Sequence, residues 1–401
     1  MLTTRPMTVV QVLPSLDGGG VERGTLEVAA ELVHAGHRSC VISGPGRMVA
    51  ALKSAGSEHI PWEIGRKSLL TLKYIRPLRN LLHELDADIL HVRSRLPAWI
   101  CYLAWRGMPK TSRPRLVTTV HGLYSVNRYS RIMVESEAVI AVSKTIENYI
   151  EQNYPGVISP DRIHLISRGI DEREFPRGFR PASDWLENWN REYPHLHGQK
   201  ILTLPGRITR RKGHADFLRL LARLKSEGFS VHGLIVGGDD PQRMGYAREL
   251  RKTVAELGLE RDVTFTGQRN DIREIYAVSD LVFSLSTQPE SFGRTVLEAL
   301  AIGRPVIGYA HGGVGEILEQ LFPYGAIPLG DESQLFKTTQ RLLERSIDPE
   351  SITPEFRLQS MLDRTLQLYR NLADSRLPAD DRGHEHVLTF PPHSTPEELA
   401  A

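Results

Sequence analysis

Apolar and polar positions alternate along this chain in two repeating modes. Short continuous apolar runs stand at Thr8–Leu13, Ser39–Ser43, Asp88–Val92, Leu116–Val120, Ala138–Val142 and Arg162–Ile166. Runs of that kind are strands buried on both faces, as in parallel sheets. Between most of them lie helical patterns; Val21–Ala35, for example, is stopped by Gly36. A second series starts later, with strands expected near Lys200–Leu204, Val231–Val236, Asp262–Phe265, Leu281–Ser284, Pro305–Gly308 and Ala326–Leu329. Helices are expected at Gly213–Leu224, Gln242–Leu257 and Phe292–Ile302. Strands alternating with helices specify α/β architecture with doubly wound parallel sheets.

Between the two series, Asp171–Gly198 mixes Pro, Trp, Asn and charge without a period, and is expected to connect two domains and carry a decorated loop. The expected layout is a first domain over 1–175, a second over 176–353, and a helix within 354–375. That helix carries Met361, Leu362, Leu366 and Tyr369 on one face, and a tail over 376–401 without periodicity is expected to be disordered. In such sheets ligands bind beyond the carboxyl ends of the strands, so a cleft between the two halves is the expected site.

Composition changes little in this picture. The 401 residues suit two domains, and 50 Lys and Arg against 48 Asp and Glu leave a net +2, which gives no field for nucleic acid. Two cysteines, Cys40 and Cys101, cannot form a disulfide framework and are expected as small buried hydrophobes in a reducing cytoplasm. The run Val9–Leu13 is too short for a signal peptide, and Leu96–Trp105 is far short of the ~20 residues of a spanning helix.

Candidate chemistry sits at the strand ends. Asp17-Gly18-Gly19-Gly20 follows the first strand and opens a helix; Arg23 stands where a dinucleotide fingerprint needs its third glycine. His121 directly follows Leu116–Val120, at a strand's carboxyl end. Gly206-Arg207-Ile208-Thr209-Arg210-Arg211-Lys212-Gly213 follows the first strand of the second series, and four cations at a helix start make an anion site in which Arg207 and Lys212 grip neighbouring phosphates. It lacks a full Walker A pattern. Gly237-Gly238-Asp239-Asp240 and Thr266-Gly267-Gln268 are further glycine loops at the same edge. Asp86-Ala87-Asp88 joins a helix end to a strand start and is not expected to share a metal.

The most informative stretch is Glu290-Ser291-Phe292-Gly293-Arg294-Thr295-Val296-Leu297-Glu298. Two helical carboxylates eight residues apart lie about 12 Å apart along the axis. Carboxyls flanking one glycosidic bond sit roughly 5–9.5 Å apart. The pair suits two contacts on one long ligand, with a helix N-terminus between them that favours phosphate.

Gly19-Gly20-Val21-Glu22-Arg23, Gly206-Arg207 with Lys212-Gly213, Glu290 through Glu298-Ala299, Gly303-Arg304-Pro305-Val306 and His311-Gly312-Gly313-Val314-Gly315-Glu316 together resemble the family 4 retaining glycosyltransferases of the GT-B fold. That resemblance implies two Rossmann-like domains facing across a cleft that takes a nucleoside-diphosphate sugar. It assigns Arg207 and Lys212 to the diphosphate, Glu290 to the donor sugar ring, and Glu298 to the ribose hydroxyls. Backbone N–H groups at Phe292 and Gly293 lie beside the donor, with Arg294 and Gly267 also on the donor side, Gly19 and Gly20 admitting the diphosphate, and His121 touching the sugar. The helix in 354–375 corresponds to the family's crossover helix. No metal and no cofactor beyond a UDP- or GDP-sugar is implied.

His91 through Trp99 resembles, more narrowly, bacterial enzymes of lipopolysaccharide core assembly, with Arg93, Arg95 and Arg128, beside Arg131, set for acceptor phosphates. Arg66, Lys67, Lys73, Arg76 and Arg79 interleave with Leu69, Leu70, Leu72, Tyr74 and Ile75, a pattern that suits an anionic membrane surface. The expected protein is a hexosyltransferase of the cytoplasm, peripheral to the inner face of its membrane, acting on a saccharide or glycolipid. A nucleotide-sugar epimerase or phosphorylase on the same fold, or a non-catalytic nucleotide-sugar binder, are the rival readings. No lysine for the pyridoxal phosphate that a phosphorylase requires can be located, and the retained site residues speak against a non-catalytic binder.

Overall fold

The computed structural model describes residues 5–238, 244–345 and 347–375. Asp239, Asp240, Gln242 and the tail over 376–401 lie outside the described residues. Two compact units form: one from the residues up to Ile166 and from Met361 onward, the other from Ser167–Ser360.

The first unit is built on strands β1 (Thr8–Val12), β2 (Arg38–Ser43), β3 (Glu58–Pro61), β4 (Ile89–Val92), β5 (Arg115–Val120), β6 (Ala138–Ala141) and β7 (Ile163–Leu165). They pair in the order β3-β2-β1-β4-β5-β6-β7, every pairing parallel. Val10, Val12, Ile42, Leu90, Val92 and Val139 are fully buried, which is why these strands read as continuous apolar runs. β3, absent from the expected strands, is an edge strand ending in Pro61, and its Glu-His-Ile-Pro sequence has too little apolar content to stand out.

The second unit is built on β8 (Lys200–Pro205), β9 (Val231–Val236), β10 (Val263–Gly267), β11 (Leu281–Ser284), β12 (Val306–Tyr309) and β13 (Ala326–Ile327), in the all-parallel order β10-β9-β8-β11-β12-β13. The winding direction reverses between β8 and β11, so the loops after these two strands diverge and leave a crevice at their carboxyl ends. In the first sheet the same reversal lies between β1 and β4.

The chain enters the second unit at Ser167, earlier than the expected 176, because Ile170 bridges Arg357 and Phe175 is buried in the second core. The aperiodic stretch also holds a helix, Ser183–Glu192. Trp185 and Trp189, one turn apart, stack at 5.0 Å, Trp189 is buried against Leu234 and Ile275, and Trp185 Nε1 donates to Asp271 Oδ2 at 2.8 Å. Aromatic anchors supply its packing, so no aliphatic stripe marks it in the sequence.

Helix Leu358–Asp374 belongs to the first unit from Met361 onward. Tyr369, fully buried, meets His91 Nδ1 with its hydroxyl at 2.5 Å, and His91 Nε2 meets Thr119 Oγ1 at 2.6 Å, so the helix is hydrogen-bonded into β4 and β5. Arg115 Nε donates to Leu372 O at 3.2 Å.

Candidate active site

The loop after β8 is tied down at several points. Gly206 N donates to Val236 O at 2.8 Å and Ile208 N to Gly238 O at 3.1 Å, while Ile208 is buried. Arg210–Lys212 then make a short 3₁₀ turn before helix His214–Ser226. Gly213 between them has φ +72°, and a Cβ there would lie 1.9 Å from Leu285 O, so only glycine lets this loop press on the one after β11. Thr287 N donates to Arg211 O at 2.8 Å and completes the lock.

This lock aims Lys212 across the crevice. Its Nζ lies 2.7 Å from Glu290 Oε1, and Ser286 Oγ donates to the same oxygen. His311 Nε2, after β12, donates to Ser286 O at 2.7 Å. Burial pushes the Glu290 carboxyl up, but the charge and hydrogen bond of Lys212, the Ser286 hydroxyl and the charge of Arg211 outweigh it and hold it below its ordinary value. The Glu290 carboxyl is therefore ionised at neutral pH. Lys212 has three N–H donors and gives one to Glu290, so it can hold an anion without releasing its partner.

Two helix starts frame the pair. Arg294–Ala301 begins behind Gly293, and Gly312–Leu321 begins behind His311. A Cβ on Gly312 would lie 2.6 Å from Glu290 O and one on Gly313 would lie 2.2 Å from Phe292 O, while Gly313 N donates to Glu290 O at 2.8 Å. The Gly-Gly pair therefore lets the second helix start seat directly on the Glu290–Phe292 backbone. A helix N-terminus brings the positive end of its dipole and first-turn N–H groups that its own helix does not use, which suits phosphate oxygens, although Gly313 N is already given to Glu290 O.

The four cations of the β8 loop divide. Arg210 is held by Glu249 at 2.9 Å and lies over the Tyr246 ring, so its charge serves packing. Arg207 and Arg211 are exposed and make no ion pair among the described residues, which leaves them and Lys212 for a ligand. Phe292 is buried. Glu298 is 6% exposed and accepts from Arg294 Nε at 3.0 Å, so Arg294 acts first as the partner of Glu298. Gly267 ends β10, the edge strand, at the same carboxyl side of the sheet.

In the first unit, Gly19 caps helix Gly20–His34 after β1, and nothing stands within 4 Å of a Cβ added at Gly20. His121 follows β5 and its N–H faces the Tyr124 hydroxyl at 3.4 Å. Arg93, expected at acceptor phosphates, is 3% exposed and gives Nε and Nη2 to Gln11 Oε1 at 3.0 and 2.6 Å; its charge is enclosed in the core beneath the loops. Arg95 Nη1 donates to Ser130 Oγ at 3.1 Å, and the guanidinium lies 5.0 and 5.2 Å from the Tyr124 and Tyr129 rings. Arg128 is exposed, whereas Arg131 is paired with Glu135. Ser286 is a site residue that sequence reasoning did not name, and His311 was named there only within its Gly-Gly motif, without a role. Ser286 had a signal: four residues before Glu290, just past a strand's carboxyl end.

Two all-parallel doubly wound sheets in one chain, the second with an anion-ready lysine–glutamate pair at its switch point, define the GT-B class of glycosyltransferases. Residues 18–174 match the Glycosyltransferase Family 4 model and 187–355 match Glycosyl transferases group 1. The N-acetyl-alpha-D-glucosaminyl L-malate synthase of Bacillus anthracis is 27% identical over 382 residues, 89% of this chain and 94% of that one. A glycosyltransferase crystal structure from Rickettsia africae superposes with TM-score 0.80 at 27% identity, covering 93% of this chain and 100% of that one. Anabaena HepE in complex with UDP-glucose shares the fold at TM-score 0.77 and 20% identity, covering 91% of this chain and 100% of that one. The chain belongs to the family 4 glycosyltransferases.

Proposed function

We propose that the protein is a retaining, metal-independent glycosyltransferase that moves a hexose-type sugar from a UDP- or GDP-sugar to a saccharide or glycolipid of cell-envelope glycan assembly, lipopolysaccharide core included. The reading rests on the Lys212–Glu290 pair at 2.7 Å, set between two helix N-termini at the switch point of the second sheet. Arg207 and Lys212 take the diphosphate and its leaving charge; Phe292 and Gly293 N–H groups lie beside the donor, and Glu290 holds the sugar ring. Glu298 takes the ribose hydroxyls, with Arg294 orienting it. Gly19, Gly20 and His121 belong to the same donor reading, and Gly267 lines the donor's side of the sheet.

The acceptor hydroxyl attacks the anomeric carbon on the face that the diphosphate leaves. The C1–O bond breaks with its electron pair passing to phosphate, and the departing phosphate oxygen takes the acceptor's proton. Charge stabilisation of that phosphate is the main catalytic contribution, which fixed cations supply without a divalent ion. The Anabaena neighbour's UDP-glucose supports the donor class, and the Bacillus relative's L-malate supports an anionic acceptor. Arg95 and Arg128 suit that acceptor better than the enclosed Arg93. Cytoplasmic residence with peripheral contact at the inner membrane face completes the proposal.

The test is nucleoside-diphosphate release from UDP-, GDP- and ADP-sugars in EDTA, with truncated lipopolysaccharide core or L-malate as acceptor. Acceptor-dependent release that persists in EDTA supports the reading. Sugar isomerisation without an acceptor would favour an epimerase, and donor binding without turnover a binding-only protein.

A further inference from the structure

In Leu69-Leu70-Thr71-Leu72 the first unit reverses the usual order of inside and outside. Thr71, the polar residue, is 4% exposed, whereas Leu69, Leu70 and Leu72 are 60%, 75% and 48% exposed. The backbone enforces this. Ser68 Oγ accepts from Leu70 N at 3.2 Å, and Thr71 N donates to Ser68 O at 3.0 Å. Thr71 Oγ1 donates to Arg66 O at 2.7 Å, so the 3₁₀ turn Leu69–Tyr74 is held by its polar side. Beneath it Tyr74 stacks on Trp62 at 5.3 Å. The leucines are thus fixed outward on a rigid turn, and an apolar cluster held in water marks an interaction surface.

Charge selects the occupant. Residues 62–76 carry Arg66, Lys67, Lys73 and Arg76 against Glu63, a net +3 in a chain whose whole net charge is +2. Glu63 lies beside Arg66 at 3.4 Å. Arg79, further on, donates to Ala104 O and Leu103 O and does not join the surface. A second copy would bring the same positive charge against this one. We infer that the Leu69–Leu72 turn inserts into the headgroup layer of an anionic membrane, with Lys67, Lys73 and Arg76 on its lipid phosphates. Leucines without charges bind lipid weakly, and cations without leucines only hover at the surface; together they anchor.

Co-sedimentation of the full chain with vesicles tests this, without nucleotide-sugar or acceptor, so that its outcome stands apart from that of the glycosyl-transfer reading. Phosphatidylcholine vesicles with about one-third phosphatidylglycerol should pellet the wild type, and phosphatidylcholine alone should not. A Leu69→Ser/Leu70→Ser/Leu72→Ser variant should lose about tenfold or more in partitioning. Lys67→Glu/Lys73→Glu/Arg76→Glu should abolish it, and both variants should melt like the wild type, since every changed side chain is exposed. Three results would overturn the inference: no pelleting of the wild type, equal pelleting by neutral vesicles, or variants that bind unchanged. A wild type that sediments as a dimer dissociated by the serine variant, with no vesicle binding, would assign the turn to a second copy instead.

Discussion

At the scale of single residues the proposed chemistry gathers on Lys212, Glu290 and Ser286, which meet at one carboxylate oxygen. Glu290 titrates below its ordinary 4.5 in the folded chain, so the unfolded chain binds more protons than the folded one around that pH. The stability its charge supplies is therefore present above pH 4.5 and is lost as pH falls through the lower folded value. Glu290→Gln keeps the shape without the charge. The stability gap between wild type and this variant should be full at neutral pH and close in acid; denaturant midpoints measured across that range check it. Glu290 and Lys212 were legible in the sequence because each sits beside glycines at a strand-to-helix turn. Arg93 was misplaced because a cation seven residues after Asp86 gives no hint that Gln11, far away in sequence, encloses it.

At the scale of elements, the site depends on how closely loops approach. Gly213→Ala puts a Cβ against Leu285 O on a backbone with φ +72°, so the β8 and β11 loops must separate. The left-handed conformation alone costs about 1–2 kcal/mol. The variant should melt lower and lose transfer by at least about tenfold, since Lys212 moves off Glu290. The helix Leu358–Asp374 makes the same point in the first unit. Tyr369→Phe keeps the ring but removes the hydroxyl that meets His91 Nδ1, a cost of about 1–3 kcal/mol for a buried hydrogen bond. Hydrogen exchange should quicken in β4 and β5 and stay unchanged in the second sheet. All strands but β3, and most helices, were visible as apolar periodicity. Helix Ser183–Glu192 was not, because two tryptophans and a tyrosine replace the aliphatic stripe.

For the molecule as a whole, winding order matters more than any motif. Two sheets reverse direction at β1/β4 and β8/β11, and the glycine, histidine and cationic loops singled out in the sequence fall at the carboxyl ends of strands in those sheets. That much was legible because each loop directly follows an apolar run. Strand order, and with it which loops become neighbours, is set by long-range pairing that periodicity does not encode. The central claim is that Lys212 neutralises a departing diphosphate. It is tested most directly by the rate of acceptor-dependent nucleoside-diphosphate release from the preferred donor, wild type against Lys212→Ala. A fall in kcat of about 10²–10³-fold with the fold intact is the predicted result. Near-normal turnover by Lys212→Ala would contradict it.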